Sequence, residues 1–182
     1  MNKIAKILDA IDKDLLPLTR RGVLAGNHVF GGLVLDARTL DTVTAGTNNR
    51  CVNPIYHGEI DTIMRFFALK DRPKPEDCLF VASHEPCSMC ASAIAWAGFR
   101  EVWVLFGAET MSGDFDMPVD MKMYRDIFGV SGVKEVNSFY RKYELRREAA
   151  REPDAAALAE KIRRLEEEYG KLEVKDFKYP GM

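Results

Sequence analysis

Apolar and polar positions follow two rhythms along the chain, one helical and one strand-like. Residues 1–16, MNKIAKILDAIDKDLL, set apolar side chains at helical spacing between charges and predict an amphipathic opening helix. Val29 to Asp36 reads as a buried strand. A polar turn from Ala37 to Asp41 joins it to a second strand, Thr42 to Ala45, as a hairpin. Gly46 to Pro54, rich in Asn and Gly, is a loop. From Gly58 the rhythm turns helical, with Ile60, Ile63, Met64, Phe67 and Ala68 on one face, and Arg72-Pro73-Lys74-Pro75 stops it. Cys78 to Ala82 is a near-continuous apolar run, the mark of an interior strand covered on both faces. Pro86 opens a helix that runs through Ala97 and ends at Gly98, and Glu101 to Phe106 is a further strand. Strand, helix, strand, helix, strand in that order implies right-handed crossovers and parallel pairing in part of the sheet. Gly107 to Pro118 is a loop, Val119 to Phe128 a helix, and Val133 to Val136 a weak strand. From Ser138 onward the pattern predicts helix, divided in two by Glu152-Pro153-Asp154. Ala155 to Tyr169, dense in Ala, Leu, Glu, Lys and Arg, is a strong helix former, expected to pack on the domain or on a partner subunit.

Composition narrows the class of protein. With 182 residues, 47% of them hydrophobic, the chain can build one compact domain with a sizeable core. Charged residues make up 30% and the formal net charge is -2, which gives no global surface for a polyanion and disfavours nucleic acid as the main partner. The N-terminus lacks the apolar core of a secretory signal, and no stretch approaches the roughly 20 apolar residues of a membrane span. A cytoplasmic location without membrane attachment is the expectation. The four cysteines, Cys51, Cys78, Cys87 and Cys90, do not suggest a disulfide framework in such a chain. Cys51 and Cys78 read as reduced structural thiols, whereas the spacing of Cys87 and Cys90 directs attention to metal or redox chemistry.

Two short motifs carry that chemistry: His57-Gly58-Glu59 and Pro86-Cys87-Ser88-Met89-Cys90. Each stands where a loop or strand hands over to the start of a helix. Backbone N–H groups and the helix dipole there favour negative charge and can hold both cysteines as thiolates. One imidazole and two thiolates make three protein ligands, His57, Cys87 and Cys90, which leaves the fourth position of a tetrahedral zinc to water. Glu59, two residues from the histidine, could reach that water without binding the metal, taking its proton and delivering it to a ring nitrogen and a departing amine. Two other readings exist for the cysteines. They could form a redox pair, although the thioredoxin-like surroundings are missing, or belong to a closed structural site with Cys51 or His84 as fourth ligand. The joint occurrence of both motifs, about 30 residues apart at helix starts, favours a catalytic zinc.

At these residues the chain resembles the cytidine deaminase-like superfamily of zinc deaminases. The likeness runs from about Val29 to Tyr143 and includes Phe30-Gly31-Gly32, Gly46-Thr47-Asn48-Asn49 and Glu85-Pro86-Cys87-Ser88-Met89-Cys90. The last of these is similar to the branch holding guanine deaminases, tRNA adenosine deaminases and fungal-type cytosine deaminases. The resemblance implies an α/β fold, a three-layer α-β-α arrangement around a mixed five-stranded sheet. Residues 1–152 are expected to form the catalytic domain, and residues 153–182 a C-terminal helical extension without a counterpart in that family. The resemblance further implies a homodimer with the site near its interface. It also implies Zn2+ as cofactor and a small heterocyclic amine as substrate. Asn48 would bond the substrate base, Phe30 would form part of the pocket wall, and the Gly58 N–H would contact the reacting ring. Many relatives have Ala where this chain has Gly58, a small change expected to leave the zinc undisturbed. Ala93-Ile94-Ala95-Trp96-Ala97 is similar to guanine deaminases, which also use an aspartate beyond the last strand for the purine. Asp114, Asp116 and Asp120 compete for that role, with Asp116 and Asp120 preferred. His28 and His84 depart from the pattern and could face the pocket and shift preference away from guanine, while Glu85 is expected to orient the cysteine loop. The alternatives are a tRNA-editing adenosine deaminase gripping phosphates with Arg141, Lys142, Arg146, Arg147 and Arg151, and a non-catalytic zinc scaffold. Interleaved Glu144, Glu148 and Glu152 would pair with those basic residues within the helix and weaken the RNA reading.

Overall fold

The computed structural model describes residues 2–107 and 118–172, with Pro118 and Met121 described by their backbone alone. Asn2 caps the first helix, α1 (Lys3–Ala10), by accepting hydrogen bonds from the Ile4 and Ala5 N–H groups. A π-helical turn (Ile11–Leu15) continues it into α2 (Leu16–Leu24). Pro17 has no N–H to offer the preceding turn, and the widened turn falls just before it. The opening helix therefore runs well past Leu16.

The strands are β1 (Gly31–Asp36), β2 (Thr42–Thr47), β3 (Cys78–His84), β4 (Glu101–Phe106) and β5 (Arg141–Glu144), in one five-stranded sheet of order β2-β1-β3-β4-β5. β1 runs antiparallel to β2 and β3, and β3, β4 and β5 are parallel to one another. The helices between and after them are α3 (Gly58–Ala68), α4 (Ser88–Ala97), α5 (Pro118–Phe128), α6 (Leu145–Ala149) and α7 (Ala155–Gly170).

Alternation along the strands builds a core on each face of the sheet. Leu33, Leu35, Leu79, Val81, Trp103 and Leu105 point to one side, where α1, α2, α6 and α7 cover them. Val34, Phe80, Ala82, Val102 and Val104 point to the other, against Phe66 of α3, Ile94 of α4 and Phe99. This is the three-layer mixed sheet expected. Helix α7 lays Leu158, Ile162, Leu165 and Tyr169 into the first of these cores.

Four local expectations are corrected. The segment after Ser138 opens with strand β5, not helix, and Val133 to Val136 supplies only a single bridge from Val136 to Arg141. β5 is short, charged and at the sheet edge, so its sequence lacks the apolar run of an interior strand. Its place is set by non-local contacts. Tyr143 stacks on Trp103 at 4.7 Å, and Lys142 pairs with Glu85 where both are largely buried. Among the described residues the basic side chains also pair across the fold, Arg146 with Glu166 and Arg147 with Glu135, while Arg147 and Arg151 pair locally with Glu148. In α3 the face of Ile60, Ile63, Met64, Phe67 and Ala68 is not the buried one. Gly58, Glu59, Thr62 and Phe66 face inward, and Met64 and Phe67 remain 51% and 43% exposed.

Candidate functional site

The parallel strands end at one rim of the sheet, and two helices begin there. His57 is the N-cap of α3 and Cys87 the N-cap of α4, both with extended backbone and neither using its side chain to cap. Their side chains are thus free to meet in front of two helix N-termini, where negative charge is favoured. The thiol sulfurs of Cys87 and Cys90 each lie 3.6 Å from His57 Nδ1, and the three donor atoms fall within 4.8 Å of one another. A tetrahedral zinc with Zn–N near 2.0 Å and Zn–S near 2.3 Å would hold such N and S atoms roughly 3.6 Å apart. One nitrogen and two sulfurs form a donor set suited to zinc. Neither Cys51 nor His84 joins this group among the described residues, so the closed four-ligand reading has no support.

The electrostatics are those of a site built around a cation. The Cys90 thiol donates to Cys87 and holds it as a thiolate down to about 4, against the effect of burial and with help from His57. Burial first, and then that same bond, push Cys90 well above the usual thiol range. Burial alone would lower His57, but the hydrogen bond and charge of Cys87, with Glu59 and Asp120, raise it instead. Glu59 is 5% exposed, and its Oε2 is buried without a hydrogen-bond partner. Burial and the neighbouring Cys87 raise its carboxyl to about 7. An unpartnered carboxylate oxygen beside three converging ligands is costly unless a bound species answers it.

Backbone contact at glycines sets how closely α3 approaches the sheet. A Cβ on Gly58 would lie 2.4 Å from both the Gly31 Cα and the Phe30 carbonyl oxygen. Thr62, one turn on, donates to the Gly58 carbonyl at 2.7 Å and packs where a Cβ on Gly46 would collide with it. Asn48 follows β2, and its N–H donates to the Phe30 carbonyl at 2.8 Å. Its side-chain Oδ1 accepts from the His28 and Arg50 N–H groups, at 3.3 and 3.2 Å. Because both partners are donors, the oxygen is assigned and the amide NH2 remains available as a donor.

The site candidates divide into groups. His57, Cys87, Cys90 and Glu59 converge, and Gly58, Phe30 and Asn48 adjoin them through β1. Asp120, in the first turn of α5, is raised to about 6 by burial and the Cys87 charge, with His57 opposing. Asp114 and Asp116 lie outside the described residues. His28 packs on Phe30 at 5.5 Å and is lowered to about 4 by burial and by Arg50 and His57. His84 is 2% exposed, edge-on to Phe30 at 4.9 Å. Glu85 is paired with Lys142. Trp96 is 92% exposed and lines an apolar groove of about 660 Å3 with Tyr124, Phe128 and Phe139, apart from the ligand group. Cys51 is exposed, and burial pushes the Cys78 thiol up to about 11, an inert thiol. Two useful residues gave no signal in the sequence: Tyr124, whose hydroxyl donates to the Pro86 carbonyl at 3.1 Å, and Ser83, which bonds the Gly31 backbone.

His84 carries a stability prediction. Burial lowers it to about 3, so it is neutral when folded and titrates near 6.5 when unfolded. The unfolded chain then binds the extra proton between those values, and stability present above pH 6.5 is lost as pH falls toward 3, by about 1 kcal/mol per pH unit. Urea midpoints measured from pH 7 to pH 4 should fall more steeply for the wild type than for His84→Phe. Parallel curves would show that His84 does not govern the acid limb.

Residues 14–106 match the family model described as the cytidine and deoxycytidylate deaminase zinc-binding region. Over 82 residues the chain is 33% identical to a probable cytosine deaminase of Schizosaccharomyces pombe, covering 45% of this chain and 48% of that protein. Over 100 residues it is 31% identical to a guanine deaminase of Bacillus subtilis, covering 53% and 62%. The matches span about half to three-fifths of the length of these curated relatives. The crystal structure of a Bacillus subtilis guanine deaminase aligns with a TM-score of 0.54 at 25% identity, over 71% of this chain and 80% of that one. A mutant protein crystallised with 8-azaguanine aligns with a TM-score of 0.54 at 21% identity, over 91% and 86%, a likeness of fold. Among the described residues no helix is long and apolar enough to cross a membrane.

Proposed function

Since the chain belongs to the family of the cytidine and deoxycytidylate deaminase zinc-binding region, we propose that it is a zinc-dependent hydrolytic deaminase of an amino-substituted nucleobase or related heterocycle. The observation that supports this most is Glu59, a buried carboxyl with an unpartnered oxygen beside a three-ligand metal group. His57, Cys87 and Cys90 would hold the zinc. When bound, the zinc supplies a water whose pKa is lowered toward neutrality. Glu59 takes one proton of the attacking water and gives it to the ring nitrogen, then takes the remaining hydroxyl proton and gives it to the amine, which leaves as ammonia; a carboxyl held near 7 suits both directions.

The other residues orient the ring. Asn48, with its oxygen occupied, donates its amide to a carbonyl of the base. Phe30 packs against the face of the ring, and Asp120 accepts a ring N–H. A donor for a carbonyl and an acceptor for a ring N–H together suit an oxo-purine such as guanine. The similarity to guanine deaminases agrees with that preference.

The test is ammonia release from zinc-loaded protein across guanine, cytosine, adenine, their nucleosides, and pterin and triazine amines. The expected result is turnover within this panel, led by guanine. A zinc-replete protein inactive on every compound would sink the enzyme reading and leave a zinc scaffold of the same fold.

A further inference from the structure

Helix α7 lies beyond the residues that match the family model, yet its last turn packs against the ends of β3 and β4. Tyr169, in its last turn, is completely buried. Its ring is edge-on to His84 at 5.7 Å and to Phe106 at 5.3 Å, and His84 lies against Phe106 at 4.6 Å. The three rings close a triangle at the ends of β3 and β4. A fourth ring, Phe30, stands edge-on to His84 at 4.9 Å, and its backbone carbonyl faces Gly58 beside His57. Aromatic pairs at these separations and angles have defined, orientation-dependent contacts.

A polar link runs in parallel. His84 Nδ1 is 2.9 Å from the Ser83 hydroxyl, which also accepts from the Gly31 N–H at 2.9 Å. Gly31 is the residue against which Gly58 rests, between the candidate ligand His57 and the candidate proton carrier Glu59. The orientation of His84 is thus set from two sides, by rings and by Ser83, and Phe30 leans on the result.

We propose that Tyr169 is a positioning residue for the deaminase site: by closing the ring triangle with His84 and Phe106 it sets the tilt of Phe30, and so the affinity for the substrate ring. The inference rests on the reading of Phe30 as pocket wall. Without the Tyr169 ring one side of the triangle is lost. His84 gains rotational freedom, and Phe30 keeps its contact with His28 but loses the fixed orientation of its contact with His84. The zinc ligands are on other elements and keep their places, so the effect falls on binding and not on the chemical step.

The experiment compares three variants of the full-length, zinc-loaded protein: Tyr169→Leu, Tyr169→Phe and Leu158→Ala. Leu158 is buried on α7 far from the triangle and serves as the control for a merely weakened helix. For each, KM and kcat are measured on the best substrate of the wild type, the Kd for 8-azaguanine by calorimetry, and zinc content and Tm alongside. Tyr169→Leu should raise KM and Kd about five- to tenfold, with kcat within about twofold and zinc unchanged. Tyr169→Phe, which keeps the ring, should restore both constants to within about twofold of wild type. Leu158→Ala should lower Tm while KM and Kd stay at the wild-type values. A folded, zinc-replete Tyr169→Leu with wild-type KM and Kd would overturn the proposal, as would Leu158→Ala raising them equally. A wild type that neither turns over nor binds any amino heterocycle would instead remove the deaminase reading itself.

Discussion

Replacing Glu59 by Gln is expected to lower the deamination rate by roughly 100- to 10,000-fold while leaving the bound zinc in place. Gln preserves the shape and polarity of the side chain but cannot take a proton and give it back. Among the described residues Glu59 is the one carboxyl that is both almost fully buried and held near 7, and its Oε2 has no hydrogen-bond partner to lose. His57, Cys87 and Cys90 converge without it, so metal analysis of the variant should match the wild type. The two measurements separate the possible roles. A variant that keeps full activity shows that some other group carries the proton. A variant that loses zinc and activity together shows that Glu59 supports the ligands and does not act on substrate.

The parts of this site that could be read from the sequence are those whose chemistry needs particular residue types at short spacing. His57-Gly58-Glu59 and Cys87 to Cys90 are local, each placed at a helix start by its own neighbours, and the apolar strands β3 and β4 announce themselves. The harder parts depend on contacts across the chain. β5 has no apolar run because it is an edge strand, held by Tyr143 on Trp103 and Lys142 on Glu85. The hydrophobic pattern of α3 points to the wrong face for a related reason. Its inward face carries Glu59 and Thr62, where function and close packing override burial of apolar groups, and Met64 and Phe67 are left outside. Tyr169 reads only as one more apolar position on an amphipathic helix. Nothing local reveals that its ring meets His84, more than 80 residues earlier in the chain.

Gly58 is where sequence and structure lead to opposite expectations, and Gly58→Ala is the substitution that decides between them. Many relatives carry Ala between His and Glu, and at a helical position Ala is favoured over Gly by up to about 1 kcal/mol. On those grounds the change should be neutral or stabilising. The structure predicts damage. The new Cβ would meet the Gly31 Cα and the Phe30 carbonyl oxygen at 2.4 Å, and these are backbone atoms at the start of β1, which cannot rotate aside as a side chain can. The first turn of α3 must therefore lift from β1 and carry His57 and Glu59 with it. Overpacking of this kind costs about 3 kcal/mol, and a displacement near 1 Å at the reacting groups can lower a rate by about 100-fold. Gly170→Ala provides the matched control, since a Cβ there meets nothing within 4 Å. Thermal unfolding should place Gly58→Ala clearly below the wild type and Gly170→Ala at or slightly above it. Ammonia release should fall only for Gly58→Ala. If Gly58→Ala is as stable and as active as the wild type, α3 can sit farther from the sheet than this structure has it, and the tight glycine seat is not what positions Glu59.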